Sequence, residues 1–290
     1  MNTTTGNNGG GPRNGPLYPS ERQDALVEIL RERHFASLHD LAESLNVSEV
    51  TVRRDLKRLK EHGLVRTVVG GAELAGSATE PPFRYKRVLK PQEKEAIARR
   101  ALDLIHSGMT ISLSAGTTTW TLAKLMKPGN LSGQVTFITN SVNVAIALQN
   151  NGWAEIVLCG GNFRTPSDAL VGPLAELTLR RLYSDILFLG IHGMDVERGL
   201  MTPNLLEQST NRALIEQSGH VVVLADHSKW GAMATARVAT WDEVNLLITD
   251  SAGGQAQVEA LRKMGVHVDV AESDPDGTPA KPGPAALELT

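Results

Sequence analysis

Residues 47–58 constrain the fold of this chain more than any other stretch, since they read Val-Ser-Glu-Val-Thr-Val-Arg-Arg-Asp-Leu-Lys-Arg. Ser48 is a favourable N-cap, because its side-chain oxygen can accept a hydrogen bond from a free amide of the first helical turn. Val52, Leu56 and Leu59 then recur at helical spacing as one apolar stripe. The other side chains, several of them basic, point away from that stripe, so the run predicts an amphipathic helix with a positively charged outer face.

The segments around this helix predict a three-helix arrangement. Residues 37–45 can form a second short helix, and residues 46–48 supply a tight turn between the two. Ser20 opens an earlier helix over residues 21–33 with a supporting apolar face. The members of that face are Ala25, Leu26, Ile29 and Leu30.

A short β-hairpin is predicted directly after the basic helix. Gly63 ends the helix, residues 64–69 alternate like a strand, and Gly70 and Gly71 can turn the chain back. Three helices followed by a hairpin predict a winged helix-turn-helix, and a basic helix presented in this way fits a DNA major groove.

The charge distribution favours DNA as the partner of this segment, although a solvated helix face is the alternative for any basic run. The whole chain has 290 residues and a formal net charge of −3. Between positions 53 and 70, however, six basic residues are offset by only two acidic ones, Asp55 and Glu61. Screening limits the reach of exposed charges to about 8 Å at physiological salt, so local charge decides. The residues predicted to contact DNA are Ser37, Ser48, Thr51, Arg53, Arg54, Lys57, Arg58 and Arg66.

The length of the chain allows one small and one medium domain. We predict a disordered tail over residues 1–19, a DNA-binding domain over 20–75, a linker over 76–91, an α/β domain over 92–272 and a flexible tail over 273–290. The start lacks the features of a signal peptide, and no apolar stretch approaches the roughly 20 residues of a membrane span. The single cysteine, Cys159, follows three apolar residues and suits a buried thiol in the cytoplasm.

From residue 92 onward, helical segments alternate with short apolar strands. Predicted helices cover residues 93–106, 118–126 and 142–149, and predicted strands cover 109–113, 135–139, 155–158, 186–189, 221–225, 245–249 and 266–270. Strands of this composition are buried on both faces, which favours a largely parallel α/β sheet.

Polar loops follow five of these strands, at the sheet edge where ligands of α/β proteins bind. They begin at Ser114, Thr139, Gly160, Gly190 and Asp226. Glycine and hydroxyl residues at a strand-to-helix turn expose amides that favour an anion, so a phosphate fits the first loop. Lys229 and Arg164 can add positive charge, and Asp226, Asn140 and Asp185 can bind sugar hydroxyls. For Asp185, a cap on its strand is an equal alternative. His192 and His227 lack further ligands at metal-site spacing.

Both halves of the chain resemble the DeoR family of bacterial transcriptional regulators. The first half carries Arg22, Leu26 and Leu30, and then Ser-x-x-Thr-Val-Arg-Arg-Asp-Leu from residue 48. The second half carries Gly-Thr-Thr-Thr at 116–119, Thr-Asn-Ser at 139–141, Gly-Gly at 160–161, Asp-Ile-Leu-Phe-Leu-Gly at 185–190 and Ala-Asp-His-Ser-Lys-Trp-Gly at 225–231. The resemblance covers about residues 20 to 270.

The resemblance implies a sensor domain similar to ribose-5-phosphate isomerase and CoA-transferase-like folds, with a phosphorylated sugar as effector and no cofactor. By position, Gly116, Thr117, Thr118 and Thr119 would hold phosphate beside Ser114. Asn140, Gly161, Asp226 and Lys229 would line the rest, with Arg164 nearby. A homodimer or homotetramer bound to a double-stranded operator is also implied.

Two positions depart from the family pattern. The family usually has Asp-Ser before Gly-Thr-Thr-Thr, and this chain has Ser114 and Ala115, so a carboxylate is missing from the first loop. The wing has Thr-Val-Val-Gly-Gly from residue 67, without the usual histidine.

A sugar-phosphate-responsive repressor of carbohydrate genes is the function that these features favour. The alternative is a sugar-phosphate isomerase or deaminase with an accessory DNA-binding domain, which needs a positioned acid and base that the first loop lacks. A Rossmann dinucleotide site would need Gly-x-Gly-x-x-Gly after the first strand, and residues 114–119 do not supply it.

Overall fold

A computed structural model describes residues 19–33, 35–61, 64–74, 82–87, 89–129 and 135–272. The predicted tails, apart from Pro19 at the edge of the first, lie outside these residues, as does Gly63. The chain divides into two compact units, Met1–Pro81 and Pro82–Thr290. No helix in the described part of the chain is long and apolar enough to cross a membrane.

The first unit has the predicted winged helix-turn-helix fold. Its elements are α1 (Pro19–Arg33), β1 (Phe35–Ser37), α2 (Leu38–Ser44), α3 (Glu49–Glu61), β2 (Val65–Val68) and β3 (Gly71–Leu74). The hairpin β2–β3 is the wing. Strand β1 was not predicted, and it pairs with β3 to complete an antiparallel sheet in the order β1-β3-β2. Its three residues are too few to show a periodicity.

Local capping explains where the two short helices begin. The Ser37 side chain accepts from the amide of Asp40, and the Asp40 carboxylate accepts from the amide of Ser37, which forms a capping box at α2. Asn46 turns the chain in the left-handed region with φ of 50°. Ser48 Oγ accepts from the amide of Thr51 at 3.3 Å. The turn predicted over residues 46–48 therefore orients α3 against α2.

Gly71 at the start of β3 is required by the close approach of β1. A Cβ atom at this position would lie 2.2 Å from the carbonyl oxygen of Ala36 and 2.8 Å from the Phe35 ring. Only glycine lets the unpredicted strand pair at this point.

The second unit is built around a seven-stranded sheet in the order β15-β14-β12-β9-β4-β5-β6, in which every neighbouring pair is parallel. The strands are β4 (Thr110–Leu113), β5 (Thr136–Thr139), β6 (Ile156–Leu158), β9 (Ser184–Gly190), β12 (Ser218–Leu224), β14 (Leu246–Asp250) and β15 (Val268–Ala271). The predicted parallel α/β sheet is confirmed, with strand ends shifted by up to three residues. The central strands are buried on both faces, whereas β6 lies at an edge and exposes Leu158.

Helices cover both faces of this sheet. They are α4 (Phe83–Lys86), α5 (Pro91–Leu102), α6 (Thr117–Leu125), α7 (Val142–Asn150), α8 (Pro173–Leu179), α9 (Leu205–Glu216) and α10 (Gln255–Lys263). Ile97, Leu122 and Val144 bring α5, α6 and α7 into one hydrophobic core, and Leu179, Leu214 and Leu261 bring α8, α9 and α10 into the other.

Several elements of this unit were not predicted. Helix α4 lies within the predicted linker. Helices α8, α9 and α10 lie in segments for which the sequence analysis predicted no helix. A hairpin pairs β7 (Asn162–Arg164) with β8 (Ala169–Val171), and a small antiparallel sheet joins β10 (Gly193–Asp195), β11 (Gly199–Thr202) and β13 (Ala236–Ala239). These strands have three or four residues each, too few to show a periodicity.

Candidate nucleic-acid interface and effector site

Helix α3 presents a basic face opposite a buried one. Val52, Leu56 and Leu59 are buried in the core of the first unit. The predicted DNA residues of α3 lie on the other side, where Thr51 is half-buried and Arg53, Arg54, Lys57 and Arg58 are exposed. The structure therefore brings the predicted cations together on one surface.

Asp55 does not lie on this surface, although its charge was expected to offset the basic residues there. Its carboxylate is fully buried and accepts from Arg22 Nε at 2.6 Å and from Gln23 Nε2 at 3.1 Å. Both partners come from α1, so Asp55 joins α3 to α1. Removing this acid from the outer face leaves the face more basic than the sequence suggested.

The wing stands beside α3 and is tied to it. Lys60 Nζ donates to Thr67 Oγ1 at 3.2 Å, and Arg66 Nε donates to Glu73 Oε1 at 2.7 Å across the hairpin. The charge of Arg66 is thus paired within the wing. Val69 at the tip is fully exposed. A groove runs between helix and wing, lined among others by Arg53, Lys57, Lys60, Thr67 and Val68.

Two serines predicted to contact DNA also act as helix caps. Ser37 Oγ accepts from the amide of Asp40 at 3.1 Å. Ser48 Oγ lies 2.9 Å from Thr51 Oγ1, in addition to its bond with the Thr51 amide. Ser48 is exposed and Ser37 is half-buried, so both caps remain accessible to solvent.

In the second unit, the five predicted loops lie at the carboxyl edge of the parallel sheet, after β4, β5, β6, β9 and β12. Ser114 joins two of these loops, because its buried hydroxyl accepts from the amide of Gly190 at 2.9 Å. Gly116 directly precedes α6, and Thr117, Thr118 and Thr119 form its buried first turn. The first amides of a helix have no partner within the helix, and its N-terminus is positive, so this end of α6 can hold an anion.

Asn140 braces the first loop. Its Oδ1 accepts from the amide of Ala115 at 2.8 Å, and its Nδ2 donates to the carbonyl of Leu170 at 3.3 Å. One oxygen lone pair and one N–H of the amide are therefore engaged by protein backbone, so Asn140 supports the loop and keeps one acceptor and one donor position for a ligand.

Gly161 and Arg164 lie on the loop and strand after β6. Gly161 has φ of 132°, and a Cβ there would lie 2.8 Å from the carbonyl oxygen of Val171. Arg164 Nη1 lies 3.0 Å from Glu207 Oε1 of α9 and 3.2 Å from Ser167 Oγ. Glu207 balances the charge of Arg164, a partner that sequence reasoning missed because it lies 43 positions away.

Asp226 and Lys229 lie on a 3-10 turn after β12. Burial raises the pKa of Asp226, but the charge of Lys229, the hydrogen bond from Ser228 and the charge of Lys94 together hold it below its ordinary value. Asp226 is therefore ionised at neutral pH. Because the folded-state pKa is lowered, this carboxylate stabilises the fold above its ordinary pKa, and the stabilisation is lost as the pH falls through the folded value.

The sequence analysis did not identify three further groups at this edge. Asp168 is buried with φ of 60°, and one of its oxygens accepts from Ser141 Oγ and from the amide of Asn143. The other oxygen, Oδ1, is buried and has no hydrogen-bond partner among the described residues. Burial raises the pKa of Asp168 despite these bonds. Its sequence context, Thr-Pro-Ser-Asp, is that of an ordinary loop.

The second missed group is a histidine–aspartate pair, and the third is a buried lysine. His227 Nδ1 lies 2.7 Å from Asp250 Oδ1, and the His227 amide donates to Asp250 Oδ2 at 2.7 Å. Lys94 of α5 is 3% exposed. Within the described part of the chain, no three His, Cys, Asp or Glu side chains are grouped so as to hold a metal ion.

Asp185 lies away from this edge. It is near the amino end of β9, where its Oδ2 accepts from the amide of Thr110 at 2.7 Å. The suggestion that it binds a sugar hydroxyl beside the other loops was wrong, and the alternative of a cap at the strand end holds.

Cys159 is predicted to be unreactive in the folded protein. The residue is buried, and burial raises the pKa of its thiol to about 11. The thiolate is the reactive form, so we expect iodoacetamide at pH 8 to leave Cys159 unmodified in the native chain and to alkylate it in guanidinium. Mass spectrometry after equal incubation distinguishes the two states, and stoichiometric labelling of the native chain would contradict the prediction.

A winged helix-turn-helix with a basic α3, followed by a parallel α/β unit with polar loops at its carboxyl edge, defines the class of DNA-binding transcriptional regulators with a sensor domain. The model of the DeoR-like helix-turn-helix domain matches residues 22–78, and that of the DeoR C terminal sensor domain matches residues 89–251. The chain belongs to the DeoR family, as its motifs indicated.

Similar proteins span nearly the same length. The chain is 36% identical to the HTH-type transcriptional regulator GlpR of Haloferax volcanii, over 87% of this chain and 98% of that protein. It is 33% identical to the putative aga operon transcriptional repressor of Escherichia coli O157:H7, over 86% and 93%. It is 32% identical to the glycerol-3-phosphate regulon repressor of Escherichia coli K12, over 81% and 92%. These relatives are transcriptional regulators and not enzymes, which decides against the isomerase or deaminase alternative.

Among solved structures, ribose 5-phosphate isomerase A of Methanocaldococcus jannaschii matches with a TM-score of 0.36 and 18% identity, over 47% of this chain and 53% of that chain.

Proposed function

We propose that this regulator is a repressor of carbohydrate genes that binds its operator through α3 and the wing and is released by a phosphorylated sugar. The observation that carries the proposal is the carboxyl edge of the second unit, where the N-terminus of α6, Lys229 and the ionised Asp226 come from loops of one parallel sheet. A positive helix end and a lysine suit a phosphate, and carboxylates suit hydroxyl groups.

On the DNA side, Arg53, Arg54, Lys57 and Arg58 would enter or flank the major groove, with Thr51 beside them. Ser37, Ser48 and Arg66 would contact phosphates at the margins. Two such helices read half-sites about 34 Å apart, or a multiple of that, only when an oligomer holds them in register. A homodimer or homotetramer is therefore part of the proposal.

On the effector side, Gly116, Thr117, Thr118 and Thr119 would surround the phosphate together with Lys229, while Ser114, Asn140 and Gly161 shape the loops. Arg164 would contribute to the site as an ion pair with Glu207. Since the first loop lacks the carboxylate usual in the family, the hydroxyl contacts fall to Asp226 and to Asp168, whose Oδ1 has no partner in the described part of the chain. One relative is named for a glycerol 3-phosphate regulon, which supports a small phosphorylated polyol.

A gel shift tests the proposal. The full-length chain is incubated with DNA from upstream of its own gene, and a panel of sugar phosphates is then added. We expect a specific complex that one member of the panel dissociates, with a coupling of about 1 to 3 kcal/mol per site. A chain that binds neither this DNA nor any fragment in a genomic selection would refute the DNA half. A complex that no phosphorylated sugar weakens would refute the effector half.

Replacement of Arg53 or Arg54 by alanine is predicted to weaken operator binding by about 1 to 3 kcal/mol each, because an arginine can pair bidentately with guanine or grip a phosphate. Arg99→Ala is a matched control. Arg99 forms an exposed i,i+4 ion pair with Glu95 in the second unit, much as Arg53 does with Glu49 in α3. Fluorescence anisotropy with labelled operator measures the effect. Wild-type affinity in both α3 variants would remove this helix from the interface.

A further inference from the structure

The second unit begins with a segment held down by the buried Lys94. This segment, residues 82–90, is called the strap here; it contains α4, and Val88 lies outside its described part. Lys94 Nζ donates to the carbonyl oxygen of Lys86 at 2.5 Å and also to that of Leu89. One ammonium group thus ties the last residue of α4 and Leu89 to α5.

Lys94 requires hydrogen-bond acceptors because its ammonium group is removed from water. A lysine that is 3% exposed is costly unless its charge is balanced and its protons have acceptors. The two strap carbonyls are acceptors, and the charge of Lys94 is also among those that lower the pKa of Asp226. Lys94 therefore bonds to the strap, and its charge acts on Asp226 of the proposed effector site.

A second set of contacts joins the strap to the same site. The Phe83 ring packs edge-on against the Trp120 ring at 6.0 Å, and the guanidinium of Arg87 lies 5.8 Å from the centre of that ring. Trp120 directly follows Thr119 in α6, the helix whose N-terminus forms the proposed phosphate loop. The strap thus packs against the helix that would receive the phosphate.

We propose that Lys94 is a positioning residue that holds the strap in the unliganded sensor and gives it up when a phosphate binds at α6. A phosphate carries a full negative charge and therefore attracts the Lys94 ammonium more strongly than the neutral carbonyl oxygens do. It would draw the Lys94 ammonium away from Lys86 and Leu89, and the strap would loosen. The strap is the first segment of the sensor unit after the boundary at Pro81.

Hydrogen exchange of the strap amides in the full-length chain tests the contact itself. The amides of Tyr85, Lys86 and Arg87 bond to Pro82 and Phe83 carbonyls and report on the order of α4. Lys94→Met should speed their exchange by about tenfold or more, since it removes two hydrogen bonds from a charged donor. Lys94→Arg should remain near wild type, and Lys263→Met on the exposed face of α10 is the lysine control. Wild-type protection in Lys94→Met would overturn the proposal.

Lys94→Gln separates the contact from the response, and it also serves if Lys94→Met does not fold. Its amide can still donate to the strap carbonyls but carries no charge for a phosphate to attract. With inorganic phosphate or glycerol 3-phosphate as probe, strap exchange should accelerate in wild type and stay unchanged in Lys94→Gln. A probe that raises the melting temperature of wild type without altering strap exchange would overturn the proposal.

The response to phosphate rests on the proposed function, whereas the hold on the strap does not. If neither probe nor any sugar phosphate raises the melting temperature, the proposed effector and the phosphate-driven release fail together. The exchange rates of wild type and Lys94→Met without probe still decide whether Lys94 holds the strap.

Discussion

Replacement of Asp55 by alanine is expected to destabilise the helix-turn-helix unit by about 3 to 5 kcal/mol, because it leaves the buried part of Arg22 without its carboxylate. The Asp55 side chain is fully buried and that of Arg22 is 11% exposed, so water replaces little of the lost interaction. Small domains are stable by only about 5 to 15 kcal/mol, so operator binding at growth temperature should fall with the folded fraction. Denaturant unfolding followed by circular dichroism measures the change.

Two comparisons show whether loss of the buried ion pair causes the destabilisation expected for Asp55→Ala. Glu73→Ala removes the partner of Arg66 in the wing, where the arginine side chain is 70% exposed, and should cost no more than about 1 kcal/mol. The double variant Arg22→Met with Asp55→Leu replaces both charges by apolar groups and should recover much of the lost stability. An Asp55→Ala chain that unfolds like wild type would show that α1 and α3 do not depend on this pair.

Replacement of Lys229 by alanine is expected to raise the effector concentration needed for release about ten- to a hundredfold while leaving operator binding intact. Lys229 lies on the 3-10 turn, and its charge lowers the pKa of Asp226 more than the charge of Lys94 does. The loss of one charge-assisted contact to a phosphate should weaken the sugar phosphate about ten- to a hundredfold. Titration of the preformed operator complex with the active sugar phosphate measures the shift in midpoint.

The matched control is Lys263→Ala, which removes an exposed lysine from α10 and should leave the midpoint unchanged. Lys229→Arg retains the charge and should give an intermediate midpoint, since the guanidinium has a different shape. If Lys229→Ala responds like wild type, the phosphate does not bind at this turn. If it loses operator binding as well, Lys229 supports the fold rather than the response.

In the second unit, sequence patterns predicted where the polar loops lie but not the contacts that their residues make. The glycine and hydroxyl loops at Ser114, Asn140 and Asp226 were predictable because parallel strands bring their carboxyl ends to one edge whatever the details of packing. The contacts that these residues make there were not. Asn140 is engaged by Ala115 and Leu170, and Arg164 by Glu207, through a register between strands and helices that no local pattern encodes.

Asp168 and Lys94 were overlooked for a related reason. Each is a single charged residue in an unremarkable stretch, one in a loop and one in the first turns of α5. Burial gives them their significance, because a charge removed from water must find partners or shift its pKa. Burial depends on which segments cover a residue, and those segments come from elsewhere in the chain.

The sequence by itself determined the two-part organisation, the basic helix from its cap at Ser48 to Lys60 and the family, since N-caps, helical periodicity and turn residues act within a few positions of one another. The tertiary structure decided which charges face outward. Asp55 belongs to the motif of the basic helix but is paired inward with Arg22, 33 positions away. The tertiary structure likewise placed Lys94 against the strap, in a position where its charge lowers the pKa of Asp226. Such pairs are set by the packing of distant elements, and only the folded chain brings their members within the few ångströms over which hydrogen bonds and ion pairs act.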